Sequence, residues 1–255
     1  MDWVEQHKNS VISGDALNRL RAIPDHSIPT VITDPPYNIG DKEKFTKQGG
    51  RLMSTLDAWG NKMNDVMTPN EYRVFMTELA IQFKRILTPG GSLLIFHDRS
   101  DPCGALQGFH QRFILRNVLM FIKKNPIPHY RKTNYRSGFE VCSWFTVSDD
   151  YYLDFTSQEG MVNVFYGAIG SVGLKATDHP TEKYLWMIEP LVIRHAPPES
   201  VILDPFFGSG STGAGAIRNH RDYIGIEQNP EYIEMSEERL GREIRERNAQ
   251  SLLPL

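Results

Sequence analysis

Apolar residues along this chain fall into short runs that end in an acid or a glycine, and these runs alternate with stretches of helical period. SVISGD, Ser10 to Asp15, predicts a strand, ALNRLRAI a short helix and IPTVITD a second strand. After Thr68, PNEYRVFMTELAIQFKRIL predicts a long helix. Thr68 can cap it, Pro69 suits its first position, and apolar residues recur at three and four. Pro89-Gly90-Gly91 predicts the turn that ends this helix, ahead of the strand SLLIFHD. Such alternation implies an α/β fold, a doubly wound and mostly parallel sheet with helices on both faces.

Further along, Phe113 to Ile122 and Phe139 to Val147 predict two strands flanking a basic loop from Lys123 to Arg136. Ser148 to Asp178, rich in Gly, Asp and Tyr, predicts no regular element. Pro180 to Ile193 predicts a helix, VILD a buried strand, GSTGAGAIRN the start of a helix, DYIGIE a strand, and Pro230 to Arg247 a charged last helix. Internal repeats are absent. The 255 residues, 40% of them hydrophobic, can be one domain spanning 1–255. Residues 39–66, with Gly49 and Gly50, are too many for an ordinary connection and predict a mobile or functional loop.

The glycines of VILDPFFGSGSTGAGA sit where a strand runs into a helix, a place where a ligand's polar end can meet backbone N–H groups. Asp204 ends the strand, and Gly208 and Gly210 present no side chain to a close ligand. A triphosphate loop needs Lys after its last glycine, and Gly213 is followed by Ala214. The next strand ends in Glu227, where doubly wound nucleotide folds place an acid on ribose hydroxyls. That spacing favours a ligand with an adenosine-like ribose over tight strand-helix packing alone.

Charge changes the picture next. The net charge is −3, yet no acid lies between Asp101 and Glu140, while Arg112, Arg116, Lys123, Lys124, Arg131, Lys132 and Arg136 do. A basic face on a near-neutral body suits a phosphate backbone, and a solvated loop with ordinary lysines explains it equally well. Neither the two cysteines nor any His-rich segment has metal-ligand spacing, so no metal is expected. Without an apolar run of eighteen residues or a leader, no membrane contact is expected and the chain reads as cytoplasmic.

DPPY at 34–37, Phe206-Phe207-Gly208-Ser209-Gly210 as FxGxG, and HPTEK at 179–183 together resemble the S-adenosylmethionine-dependent DNA amino-methyltransferases. The order, catalytic motif before cofactor motif, resembles their β-class, and the likeness runs from about Ser13 to Leu240. It implies a Rossmann-like methyltransferase fold, circularly permuted, with S-adenosyl-L-methionine as cofactor. Cofactor contacts implied by it are Asp15, Asp34, Thr181, Lys183, Asp204, Phe206, Gly208, Ser209, Gly210 and Glu227. Asp15 would lie by the cofactor's adenine, although it also suits a helix N-cap. Tyr184 stands where this family often has proline, which bears on the helix start there.

The resemblance gives DPPY a chemistry. An exocyclic amino group on a base is a poor nucleophile because its lone pair is delocalised into the ring. Acceptors on its hydrogens, Asp34 and the Pro35 carbonyl, would draw it toward tetrahedral geometry. Pro35 and Pro36 would preorganise them, and Asp34 would take the departing proton. Tyr37 would stack on the extruded base. A rigid turn alone would explain the prolines but not the acid or the ring.

The partner implied is double-stranded DNA, tracked by Arg131, Lys132 and Arg136. Residues of about 123–178 form a small target-recognition region, and Phe45 and Trp59 sit in the long loop. A region that short leaves room for a homodimer, and the family for a cognate restriction endonuclease. The acid at 34 favours N6 of adenine over N4 of cytosine, whose enzymes more often carry Ser there. Protein glutamine methylation, with its related NPPY, is disfavoured by the acid-free stretch and the motif order. A catalytically silent nucleic-acid-binding subunit would be expected to lack the acid or the ring.

Overall fold

The computed structural model describes residues 2–38, 67–99, 102–128, 132–170, 177 and 182–251. Among them, β1 (Ser10–Ser13), β2 (Ile28–Thr33), β3 (Leu87–His97), β4 (Ile114–Lys123), β5 (Phe139–Thr146), β6 (Val164–Gly167), β7 (Val201–Asp204) and β8 (Asp222–Glu227) form one sheet. Its order is β1-β8-β7-β2-β3-β5-β4-β6. Only β5 runs against the others. The expected α/β fold with a mostly parallel sheet is what the chain adopts.

Strand residues alternate between two cores. Val31, Leu93, Ile95, Leu203 and Ile224 face one side, where α2 (Ala16–Leu20), α3 (Pro69–Ile86) and α4 (Pro102–His110) pack. Ile32, Leu94, Phe96, Ile202 and Tyr223 face the other, with α5 (Leu185–His195), α6 (Ser211–Arg218) and α7 (Pro230–Ser251). The connection from β2 through α3 therefore crosses one face and that from β7 through α6 the opposite face. Because β2 and β7 are neighbours, the chain diverges between their carboxyl ends. Such a switch point leaves an open crevice.

Local chemistry explains most boundaries. Thr68 and Glu71 exchange capping-box hydrogen bonds at the start of α3, with Pro69 next, as the sequence predicts. Pro89-Gly90-Gly91 differs from expectation. The chain extends directly from α3, and these residues sit within β3 as an irregularity, pairing shifting from Ile28–Leu87 to Thr30–Ser92. A Cβ on Gly90 would lie 2.8 Å from the Asp150 carbonyl oxygen, so the close approach requires glycine. α5 begins after Tyr184, which has extended backbone and makes no side-chain cap, and it tolerates Pro190 inside. Three elements escaped the sequence reading: α1 (Trp3–His7), α4 and the edge strand β6 within the segment expected to be irregular.

Candidate active site

Asp34 follows the last residue of β2, and Asp204 is the last residue of β7 beside it. Asp204 is buried, and its carboxylate ties the two strand ends to the glycine turn. Oδ1 accepts from Thr33 Oγ1 at 2.8 Å and the Phe206 N–H at 3.1 Å, and Oδ2 accepts from Thr212 Oγ1 at 2.7 Å. Burial pushes its carboxyl up to about 6 despite these bonds, and the nearby charge of Asp34 pushes the same way. Both oxygens are thus committed to the scaffold. The structure gives Asp204 the geometry of a bracket under the turn.

In the turn itself Gly208 and Gly210 have φ of 49° and 74°, the left-handed region that glycine occupies without strain. Phe207 points inward against Tyr223, and a Cβ on Gly225 or Gly213 would strike its ring. Gly213 is therefore a packing glycine. Phe206 is half-buried and meets Phe75 edge-on, on the opposite core. Glu227, half-buried at the end of β8, accepts from the Gly208 N–H at 2.9 Å through Oε2 and from the Gln228 and Asn229 N–H groups through Oε1. Beside it, β1 pairs Ser13 with Glu227, which brings Asp15 to the same edge. Asp15 is exposed and caps α2 by accepting from the Asn18 N–H at 2.9 Å. Sequence-distant residues 15, 34, 208 and 227 thus share the carboxyl edge of one sheet.

Lys183 reaches the same place from the segment before α5. Its Nζ donates to Asp34 Oδ2 at 2.5 Å, and Tyr37 Oη donates to Asp34 Oδ1 at 2.5 Å. The ammonium also lies over the rings of Tyr37 and Phe96. Burial works against charge on Lys183, but the carboxylates of Asp34 and Glu140 outweigh it and raise its pKa. The Tyr37 hydroxyl is held well above its ordinary value by burial, then by those same acids, so it stays a neutral donor. Pro35 is buried and Pro36 half-buried behind them. Thr181 lies outside the described residues.

Three participants were not singled out in the sequence. Glu140, the second residue of β5, pairs with Lys123 at the end of β4; burial opposes its charge, but Lys183 and Lys123 hold its pKa low. Asn38 clasps Met67 through both its amide groups, at 2.9 and 2.8 Å, closing the base of segment 39–66. That segment, with Phe45 and Trp59, is outside the described residues. Arg239 is fully buried in α7 although the sequence there reads as a solvated helix. The signal was present: Tyr232, Ser236, Arg239, Leu240 and Glu243 fall at helical spacing on one stripe.

The basic stretch divides in two. Lys123 ends β4 on the active-site edge and Lys124 follows it, with exposed Lys132 and Arg136 beyond, and Arg136 donates to the Pro126 carbonyl. Arg112 and Arg116 lie at the opposite edge, where Arg116 is tied to Thr146, Ser148 and Asp149. They do not belong to the face expected from sequence. Arg131 lies outside the described residues. Among the described residues no acid, histidine and cysteine cluster could hold a metal, and no helix is long and apolar enough to cross a membrane.

The profile of the N6/N4 methyltransferase family, described as DNA methylase, matches residues 28–238. The chain belongs to the N6/N4 DNA methylase family. Among curated relatives of this DNA methylase is the Type II methyltransferase M.HinfI of Haemophilus influenzae, 30% identical over 93% of this chain and 69% of that protein. Another is the Type II methyltransferase M2.LlaDCHI of Lactococcus lactis subsp. cremoris, 25% identical over 94% and 92%. The fold is shared with the M1.HpyAVI complex with S-adenosylmethionine, at a TM-score of 0.69, 21% identity and 91% and 98% coverage. It is also shared with the cytosine-N4-specific PvuII DNA methyltransferase, at 0.68, 21%, 90% and 85%. The methylase described here is an S-adenosylmethionine-dependent enzyme.

Proposed function

We propose that this methylase modifies the N6 amino group of adenine in double-stranded DNA, taking the base out of the helix to reach it. One observation carries the reading: the Asp34 carboxylate, held by Lys183 and Tyr37, stands at the same carboxyl edge of the sheet as the glycine turn and Glu227.

The residues present fit the cofactor. Glu227 has two carboxylate oxygens at a strand end for ribose hydroxyls, and the turn between it and Asp34 carries no bulk at Gly208 and Gly210. Asp15 stands next to Glu227 for an adenine amino group, and Lys183 supplies a cation for a carboxylate. S-Adenosylmethionine, when bound, supplies an electrophilic methyl group. The chain's task is to make the amino nitrogen nucleophilic. Asp34 and the Pro35 carbonyl accept its hydrogens, and the Asp34 carboxylate can take the released proton. Tyr37 offers a face for the base, and its hydroxyl must leave Asp34 Oδ1 for the amino group to take that place.

An acid at position 34 supports adenine, because N4-cytosine enzymes of the family more often carry Ser there; the amino-group chemistry itself is common to both bases. A related fold is described as cytosine-N4-specific, which makes N4 of cytosine the second reading. We also read the motif order as a circular permutation, supported by β1 from one end of the chain pairing with β8 near the other. Functional pairing with a restriction endonuclease is supported by the Type II relatives. The deciding experiment incubates the protein with S-adenosylmethionine and duplex DNA of varied sequence, then digests and weighs the nucleosides. N6-methyladenine is expected; N4-methylcytosine alone would replace it with the second reading, and no modified base would end both.

A further inference from the structure

We infer that Arg239 and Glu182 are a positioning pair that locks the glycine turn in register with Lys183, so that the two ends of one cofactor are gripped at a fixed spacing. Arg239 is 1% exposed and Glu182 is 7% exposed. From α7 the guanidinium reaches two segments that are otherwise separate in the chain. Its Nη1 lies 3.2 Å from the Ser209 carbonyl oxygen, 3.3 Å from Ser209 Oγ and 3.0 Å from Ser211 Oγ, all in or beside the glycine turn. Its Nη2 lies 3.5 Å from Glu182 Oε1. The other oxygen of Glu182 accepts from the Thr177 N–H at 2.9 Å and hydroxyl at 2.6 Å. Ser211 Oγ donates in turn to the Lys183 carbonyl at 2.7 Å. Turn, Arg239, Glu182 and Lys183 backbone therefore form one closed polar circuit.

Stability alone is a poor reason for this arrangement. Two desolvated charges roughly break even against apolar side chains of the same volume, and here the Arg239 Nε has no hydrogen-bond partner among the described residues. What the pair does supply is geometry. The turn has left-handed glycines and little side chain to pack, so its place is set by whatever holds its backbone. Glu227 and the Ile226 carbonyl hold one side of it, and Arg239 holds the other at Ser209. The planar fork of arginine can span Ser209, Ser211 and Glu182 together, which a single ammonium cannot. With the circuit intact, the ribose end at Glu227 and the cation Lys183 keep a constant separation.

The test is Arg239→Met combined with Glu182→Gln, which removes both charges at once and leaves an acceptor for Thr177. This double variant should melt within a few degrees of the parent, bind duplex DNA as before, and bind S-adenosylmethionine at least about tenfold more weakly by calorimetry, the effect of removing one charge-assisted hydrogen bond. A folded double variant with cofactor affinity within twofold of the parent would overturn the inference. Should it fail to fold, Arg239→Lys decides instead. That variant keeps the charge but not the fork, and unchanged cofactor affinity in it overturns the inference, whereas a loss of threefold or more supports it. The inference rests on the reading of the turn as the cofactor site, which Glu227→Ala tests separately. If Glu227→Ala leaves affinity intact, that reading falls and takes this one with it; if it weakens binding while Arg239 and Glu182 prove silent, only the positioning pair falls.

Discussion

Lys183 Nζ lies 2.5 Å from Asp34 Oδ2, so the segment carrying HPTEK and the strand end carrying DPPY meet through one ion pair. The two side chains keep 12% and 23% of their exposure, enough shelter to strengthen the pair and enough opening for substrate to enter. Burial opposes charge on the ammonium, but the carboxylates of Asp34 and Glu140 together keep it charged. Charge therefore alternates from Lys123 through Glu140 and Lys183 to Asp34 along the crevice.

Asp34→Asn should separate the two halves of the site. It retains the shape of the side chain but cannot take a proton, so single-turnover methylation should fall by at least ~100-fold. Cofactor affinity should hold or rise, because Lys183 loses its partner at Asp34 and keeps only Glu140. Glu227→Ala should do the reverse, weakening cofactor binding by ~1.5–3 kcal/mol. It should also lower the melting temperature, since three backbone N–H groups lose their acceptor. Near-parental turnover by Asp34→Asn would reduce DPPY to a turn.

Tyr37 donates its hydroxyl to the acceptor that the target must use, so ring and hydroxyl make different contributions. Tyr37→Phe keeps the ring and should stay within about tenfold of parental turnover. Tyr37→Ala should weaken binding of duplex with an unpaired target base by ~1–3 kcal/mol, the value of a base-aromatic stack. Fluorescence of 2-aminopurine at the target would follow the extruded base. Equal losses in both variants would show that the hydroxyl, not the ring, matters.

Much of this site was legible because its residues sit at strand ends. Asp34, Asp204 and Glu227 each close an apolar run, and in a parallel sheet such ends converge wherever the helices cross. Local pattern could give their positions but not their partners. Asp204 reads as a ligand-facing acid until Thr33 and Thr212 are seen on its two oxygens. Arg239 reads as one cation among many in a charged helix until its stripe is counted against Leu240. The basic stretch looked continuous because sequence does not show that a ten-residue strand carries Arg116 to one edge of the sheet and Lys123 to the other. β6 has four residues and gains its strand character from pairing with Met120–Lys123, so no local periodicity announces it.

That division gives a prediction about DNA. Lys124, Lys132 and Arg136, changed to Ala together, should flatten the slope of log affinity against log salt by up to ~3 units, one for each phosphate no longer neutralised. Arg112→Ala, at the opposite edge, should leave the slope unchanged. If Arg112→Ala flattens it instead, the duplex lies across the amino edge and the active-site edge is not its track.

The last prediction concerns stability and acid, and it turns on two buried groups that pull in opposite directions. Asp204 is raised from 3.8 to about 6 by burial, partly offset by Thr212, Thr33 and the Phe206 N–H. His195 is lowered from 6.5 to about 3, by burial first and the charge of Arg194 second. Between pH 4 and 6 the folded chain holds a proton on Asp204 that the unfolded chain has released. Stability from this group is therefore present at low pH and lost as pH rises through about 6. Over the same range the unfolded chain protonates His195 while the folded chain keeps it neutral, so stability from that group is lost as pH falls. Each slope is up to about 1.4 kcal/mol per pH unit, with opposite sign, and in the parent protein they nearly cancel. Asp204→Asn removes one of them. Its amide can still accept from Thr33 and Phe206 and donate to the Thr212 hydroxyl, so the bracket survives. Urea unfolding at pH 4, 5 and 6 should then show stability dropping more steeply toward acid than in the parent, by roughly one proton's worth. His195→Gln should tilt the curve the other way. If all three curves run parallel, these two groups do not titrate as their burial dictates, and the account of Asp204 as a desolvated bracket fails.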